Sequence, residues 1–559
     1  MSAWIGTTQY ADYFNSPDSN LQGGITASMS AGSLAGALGA GFLSDAIGRR
    51  KSLMIASCIW IVGSVIQLSS QNVAQLVAGR VINGLCVGIT SSQVPAFLAE
   101  LAPARIRGRV VGMQQWAIEW GILIMYLISY GCSKMSGPGS FRTAWGIQGI
   151  PALILFASMF FFPESPRWLA GKDRWEECLN TLAMLHGNGD THHPTVQAEY
   201  LEVREAQRLA AEGEQLPVLG LFGKKMWRRT VAGVSVQMWQ QLLGGNVMMY
   251  YIVYVFEMAG LTGNVNLTSS IIQYVIFVVT TGVTLLFIER CGRRPLFVYG
   301  GILMCGFNFC VAGLMASKGH KVTHVGNATN IKWELHGPYA KGVIACSYLF
   351  VACYGFTWVS LAFLLILLVL FHFSSSLFLS FSSSPIHPHY PIIQQWLTFG
   401  SISNPTQAPA AWIYCAEVFP LQYRAKGVGL SAATNWAFNF ALAFFVPPAF
   451  ENIQWRTYII FGVFCAAATV HSFVGFPETA GRTLEEIDEV FDSKLPAWRS
   501  SGVKSHFSDR VAAIERKGEM LGEGVVEQVE IGGQGETVGE KDVGTEHRED
   551  GVSRGEKIV

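Results

Sequence analysis

Charge is what this 559-residue chain has least of: Asp, Glu, Lys and Arg together make up 14%, where a soluble domain carries about 25%. Half of the residues are hydrophobic, and the mean hydropathy is +0.32. So little solvating surface excludes a soluble enzyme. Net charge is missing as well, since 39 basic residues balance 39 acidic ones, and no basic surplus is left for a nucleic-acid partner. Cysteine is sparse, with 11 residues scattered mostly inside apolar runs, which excludes a secreted disulfide scaffold. No metal-ligand cluster, nucleophile motif or pair of catalytic carboxylates stands out, and no cleavable leader is visible at Met1. Neither enzymatic activity nor a cofactor is expected. What remains is an all-α polytopic membrane protein.

Long apolar runs are abundant. Eleven approach the ~20 residues needed to cross the hydrocarbon core: 22–42, 53–70, 74–99, 108–131, 142–162, 230–258, 268–288, 295–316, 341–358, 425–447 and 456–476. Gly32, Gly36, Gly39 and Gly41 recur in the first. Small residues in a row let helices approach closely, and with no strand before them they do not read as a phosphate loop. Basic residues cluster in four short loops, around Arg49–Lys51, Arg105–Arg109, Arg290–Arg294 and Arg424–Lys426, which the positive-inside rule makes cytosolic. Residues 1–21 and 259–267 hold no Lys or Arg and fall outside, while 317–341, with four Lys, is an exception. Two glycosylation sequons, Asn266-Leu-Thr and Asn327-Ala-Thr, both fall in predicted outer loops.

The two halves echo each other. Asp45-Ala-Ile-Gly48-Arg49-Arg50 matches Glu289-Arg-Cys-Gly292-Arg293-Arg294. Glu100, Pro103 and Arg107 match Glu417, Pro420 and Arg424, and Pro163-Glu164-Ser165 matches Pro477-Glu478-Thr479. Ordered motifs that each occur twice imply two homologous bundles, the architecture of secondary transporters with a site near the midplane. The expected organisation is a bundle over 1–162, a cytosolic linker over 163–229, a second bundle over 230–496, and a disordered cytosolic tail over 497–559, rich in Gly, Glu, Lys and Val.

These residues resemble the major facilitator superfamily, specifically its sugar porter family. The resemblance runs from residue 1 to about 493, through GFLSDAIGRRK, Gly79-Arg80, ELAPARIRGR, PESPRWL, QQLLGGNVMMYY, ERCGRR, AEVFPLQYRAKG and PETAGRT. Fungal hexose transporters are suggested by NLQGGITASM, QQWAIEWGIL and SAATNWAFNFALA. The resemblance implies two six-helix bundles and alternating-access transport of a monosaccharide, a hexose such as glucose or a pentose. It implies proton symport in the intact form, or else facilitative uniport, by a monomer of the plasma membrane. A sugar sensor of the same fold is the alternative, disfavoured by the short tail.

Two departures from the family pattern stand out. The repeat offset is 244 at the first acid/Arg motif and 317 and 314 at the other two, so about 70 residues enter between Glu289 and Glu417. That interval contains 359–407, Ser/Phe/Leu low-complexity sequence whose removal joins Gly355-Phe-Thr-Trp358 to Ala408-Pro-Ala-Ala-Trp412 in one run, the family's tenth helix. Val359-Ser360 can be encoded by a splice donor and Gln407 by an acceptor, which reads as a translated intron. An insertion in mid-helix would otherwise strand backbone groups in lipid. The second departure is at the start, where the odd span count and the charge rule leave the family's first helix, with its proton-coupling Asp, apparently lacking. A chain with both defects is expected not to transport.

A sugar presents hydroxyls and small apolar faces, so its recognition needs amides, hydroxyls and an aromatic wall. Gln240, Gln241 and Asn246 fall in one predicted helix. From the residues alone, binding and interhelical amide glue are equal readings; the resemblance makes these three sugar ligands and adds Gln115, Trp412 and Asn435. Phe277 stands where many members have Asn. Tyr250 and Tyr251 match the outer gate, with an interfacial aromatic belt as the plainer reading. Arg80 is an intramembrane charge that needs a partner or water. It matches the family's proton-sensing Arg, and Glu119 is the remaining intramembrane acid, a proton carrier or a structural carboxyl. His471 reads as packing. By resemblance, Arg49, Glu100, Arg107 and Glu164, mirrored by Glu289, Arg293, Glu417, Arg424 and Glu478, form interhelical ion pairs that close the inner gate. Anchoring by the positive-inside rule would not explain the acids.

Overall fold

The computed structural model describes residues 8–15, 17–102, 107–193, 196–197, 199–201, 203–204, 207–208, 218–224, 226–260, 264–284, 293–322, 333–357, 410–420, 423–479, 487, 490–491, 493 and 495–502. The first half holds α1 (Thr8–Tyr13), α2 (Ser19–Ile47), α3 (Arg49–Leu68), α4 (Val73–Leu101), α5 (Arg107–Cys132), α6 (Gly139–Ile147) and α7 (Gly149–Ser158). Two short helices follow, α8 (Pro166–Ala170) and α9 (Trp175–His186). The second half holds α10 (Trp227–Leu242), α11 (Gly245–Tyr250), α12 (Ile252–Met258), α13 (Asn264–Thr284), α14 (Arg293–Lys318), α15 (Pro338–Thr357), α16 (Ala410–Val418), α17 (Arg424–Asn452) and α18 (Arg456–Gly475). A small hairpin, β1 (His320–Lys321) and β2 (Trp333–Glu334), joins α14 to α15.

Among the described residues all eleven predicted spans are helical, but two are broken. Residues 142–162 divide into α6 and α7 at Gln148. Pro151 explains the break, since its ring clashes with the carbonyl four residues back, that of Ile147, and it offers no N–H. Trp60 Nε1 donates to the Gln148 carbonyl at 2.9 Å. The stretch 230–258 divides at Gly244, whose φ of +89° ends α10 and opens α11. Apolar side chains cover the outside: Phe42 is 73% and Phe161 89% exposed, as a lipid-facing surface requires.

The glycine row of α2 does only half of what was expected. A Cβ on Gly32 would lie 2.1 Å from the Val81 carbonyl oxygen, and one on Gly36 2.2 Å from that of Leu85. These two let α2 and α4 touch backbone to backbone, whereas Gly39 and Gly41 face open space.

The linker is partly folded. Leu169, Ala170, Cys178, Leu182 and Ala183 bury together, and Trp168 Nε1 donates to the Asp45 carbonyl at 3.2 Å, tying the linker to the end of α2. The first residues of the expected tail are structured. Ala497–Gly502 form a 3-10 turn, held by Trp498 stacked on Phe473 and by the Glu478 N–H donating to Ser500 Oγ at 2.8 Å. Residues 503–559 lie outside the described residues, as do 358–409, which contain the suspected intron, and Glu289 and Asn327. Asn266 falls in the first turn of α13 rather than in a loop.

Candidate functional site

The break at Gly244 assembles the amides. A Cβ there would stand 3.1 Å from the Phe461 ring, and one on Gly245 2.3 Å from the ring of Tyr354. Only glycine permits both the left-handed turn and this approach. Gln240 and Gln241 therefore end α10 while Asn246 lies beyond the break in α11, not on one continuous helix as expected. Asn246 Nδ2 donates to Gln241 Oε1 at 2.6 Å, and Gln241 Nε2 donates to Asn435 Oδ1 of α17 at 2.9 Å. Asn435 Nδ2 donates in turn to Gln240 Oε1 at 2.9 Å and to Gln237 Oε1 at 2.7 Å.

Asn439, one turn beyond Asn435, was missed by the sequence reading. Its Nδ2 donates to Gln241 Oε1 at 2.9 Å, and its Oδ1 accepts from Ser30 Oγ of α2 at 2.5 Å. The amide cluster thus reaches across to the other bundle. Asn435 and Asn439 share a helix face at i, i+4, and that spacing was the available signal.

Around the cluster, Tyr354 OH donates to the Gln240 carbonyl at 3.1 Å and stacks on Phe277, centroids 6.1 Å apart. Trp239 Nε1 donates to His471 Nδ1 at 2.8 Å, so His471 is a hydrogen-bond acceptor as well as a packing residue. Trp412, half-buried in α16, packs with Trp436 and Leu34 against Ala37, Ala432 and Ala433. Gln115 lies on α5, one turn from Glu119. Glu119 is buried, its two oxygens have no hydrogen-bond partner among the described residues, and Gln115 and Thr281 are the polar side chains beside it. Tyr251 is buried with its OH donating to the Ala443 carbonyl at 2.7 Å; Tyr250 is half-buried beside Asn439.

Arg80 finds carbonyls rather than an acid. Its Nε donates to the Ile25 oxygen at 2.8 Å and its Nη2 to that of Thr26 at 3.1 Å, both on α2. Backbone acceptors are an established way to hold an intramembrane charge. A cavity of about 120 Å³ beside it is lined by Gln67, Asn83, Ser129 and Gln148.

The acid/Arg motifs staple helix ends within each half. Arg49 Nε donates to Glu100 Oε2 at 3.2 Å and Nη2 to Oε1 at 3.3 Å. Glu164 Oε1 accepts the backbone N–H of Arg49 at 2.9 Å and of Arg50 at 3.2 Å. In the second half Glu478 Oε2 accepts the Arg294 N–H at 3.1 Å. The fork repeats too: Arg50 Nη2 donates to the Phe160 carbonyl and Arg294 Nη2 to that of Phe473, each at 3.1 Å. Glu417 is half-buried at the same end of α16. The side chains of Arg107, Arg293 and Arg424 lie outside the described residues.

Two pseudo-equivalent helical bundles, a broken helix lined with amides and twin acid/Arg staples define a transporter of the major facilitator fold. Residues 5–368 and 389–491 match the family described as "Sugar (and other) transporter", and the chain belongs to that family. It is 44% identical over 508 residues to the high-affinity glucose transporter of Kluyveromyces lactis, covering 90% of this chain and 83% of that protein. It is 41% identical to the MFS glucose transporter mfs1 of Aspergillus flavus, covering 91% and 89%. Among solved structures it is similar to the xylose transporter XylE of E. coli. The form described as a proton:xylose symporter bound to 6-bromo-6-deoxy-D-glucose has a TM-score of 0.63 and 23% identity over 84% of this chain and 89% of that one. The family is one of membrane transporters, not enzymes.

Proposed function

We propose that this protein carries glucose or a closely related hexose across the plasma membrane by alternating access, with Gln240, Gln241, Asn246 and Asn435 as the sugar ligands. Asn439 joins them. The observation that carries the reading is the Gln241–Asn435–Asn439 hydrogen-bonded set, which links the broken helix of one half to Ser30 of the other. Amides can exchange amide–amide bonds for amide–hydroxyl bonds of similar strength without burying a charge. The names of the relatives support glucose as the substrate. Gln115 and Trp412 extend the wall, and Tyr250 and Tyr251 close it from outside.

Proton coupling is part of the proposal, with Glu119 as the carrier and Arg80 as the fixed charge of the first bundle. Glu119 sits where α5 faces α13 of the other half, its neighbour Trp116 donating to the Val278 carbonyl at 3.1 Å. The acid/Arg staples keep each bundle's cytosolic helix ends rigid, so the halves move as bodies.

Residues 359–407 are proposed as an insertion foreign to the transporting form. The family match is interrupted over 369–388, inside that segment. Labelled glucose uptake in a host lacking hexose transporters tests both readings at once. The chain without 359–407 should take up glucose, and the full chain should take up little. Uptake by neither, at equal surface expression and with no binding of glucose, sinks the transport reading. Equal uptake by both sinks the insertion reading alone.

A further inference from the structure

The hairpin between α14 and α15 holds a side-chain cluster that sugar transport does not use. β1 and β2 pair antiparallel with His320 directly opposite Glu334. Cross-strand partners share one face of a ladder, and so do residues two apart on one strand. His336 lies two residues past the end of β2, and its ring comes back beside Glu334. One donor atom from each of His320, Glu334 and His336 lies within 4.8 Å of the others. His336 Nε2 and Glu334 Oε2 are 3.4 Å apart, close to the ligand–ligand edge of a tetrahedron with metal–ligand bonds of about 2.1 Å.

The backbone under these side chains is held on both sides. The Leu335 N–H donates to the Met258 carbonyl at the end of α12 at 2.9 Å. Trp333 Nε1 donates to the Met315 carbonyl in the last turn of α14 at 3.1 Å. Glu334 is the sheltered member, its side chain 18% exposed against 62% for His336. A sheltered carboxylate flanked by two exposed imidazoles, their ring centroids 5.6 Å apart, can close on an ion with little backbone rearrangement.

We infer that His320, Glu334 and His336 form a site for a divalent transition-metal ion on the outer side of the second bundle, with Zn2+ as the best fit. Two imidazoles and one carboxylate suit borderline ions, whereas Ca2+ and Mg2+ call for oxygen donors throughout. Three protein ligands leave the fourth tetrahedral position to water, so the ion exchanges with the medium. Once bound, it locks β1 to β2 and thereby ties the end of α14 to the start of α15.

The test uses the full chain, purified in detergent without a polyhistidine tag and titrated with Zn2+ by calorimetry. Wild type should bind one ion that the double variant His320→Ala, His336→Ala does not. The difference between the two removes any background from other histidines such as His192 and His193. Glu334→Gln should weaken the same event. Loaded with Co2+, the wild type should show the intense visible bands of a tetrahedral site, and the double variant should lose them. Both histidines are exposed, so the metal-free variants should melt at the wild-type temperature. Zn2+ isotherms or Co2+ spectra that the substitutions leave unchanged overturn the assignment.

Discussion

The Glu164 carboxylate caps the helix that begins at Arg49, accepting its backbone N–H at 2.9 Å. Acids stabilise helix N-termini, where unpaired N–H groups and the helix dipole present positive charge. Gly48 makes room for this cap: its φ is +94°, and a Cβ there would lie 2.4 Å from Glu164 Oε2. Gly48→Ala should therefore destabilise the purified protein by about 1–3 kcal/mol, the cost of a backbone region open almost only to glycine, on top of losing the cap. A melting temperature equal to wild type would refute the cap reading.

The α2–α4 contact separates two kinds of glycine in one row. Gly32→Leu or Gly36→Leu must push a carbonyl of α4 aside and should abolish the monodisperse peak in detergent gel filtration. Gly39→Leu and Gly41→Leu, facing open space, should leave that peak intact. Equal behaviour of all four would show that the helices do not touch as described.

Gln241 holds three amide partners, so Gln241→Ala should cost more than one lost sugar contact. Each buried polar group left unpaired costs about 1–3 kcal/mol, and about 1.4 kcal/mol is a decade of affinity. Glucose affinity should fall roughly tenfold to a hundredfold, read as Kd by calorimetry on the chain lacking 359–407. Trp239→Phe, which removes only the donor to His471, should change Kd little. A Gln241→Ala variant with wild-type affinity would take the sugar site elsewhere.

Glu119→Gln should separate exchange from accumulation. In the chain lacking 359–407, glucose counterflow, which needs no proton gradient, should persist, while uphill uptake at an imposed pH gradient should vanish. Loss of both, in a protein that still binds glucose, would make Glu119 a structural carboxyl instead.

How far the sequence could be read depends on the kind of feature. Each apolar run became helix, because hydropathy alone decides what can cross lipid. The twin acid/Arg motifs marked Arg49, Glu100 and Glu164, which the structure brings together, whereas in the second half the residue seen bonded to Glu478 is Arg294, the neighbour of the expected Arg293. What stayed hidden were events inside the runs. The breaks at Gln148 and Gly244 were marked only by Pro151 and the Gly244-Gly245 pair, signals that hydropathy along the run does not register. Asn439 was passed over because its importance lies in a partner on another helix. The interhelical pairing expected of these motifs is present for Arg49 with Glu100, while Glu164 and Glu478 accept backbone N–H groups, a role that like spacing does not reveal. The histidine–glutamate cluster of the outer hairpin escaped because strand register brings His320 opposite Glu334 across a sequence gap that no short motif spans.

The seam between α2 and α17 runs antiparallel from Ser19 against Glu451, through Gly23 against Phe444 and Ser30 against Asn439, to Ala37 beside Ala432 and Ala433. These two 29-residue helices join the halves along one seam, and α5 joins α13 along a second, through Trp116 with the Val278 carbonyl and Tyr126 against Tyr274. Two rigid halves joined along two seams can part along one only while the other holds. Probes placed across the seam that holds should report almost nothing of the transport cycle, while probes across the other should report its opening.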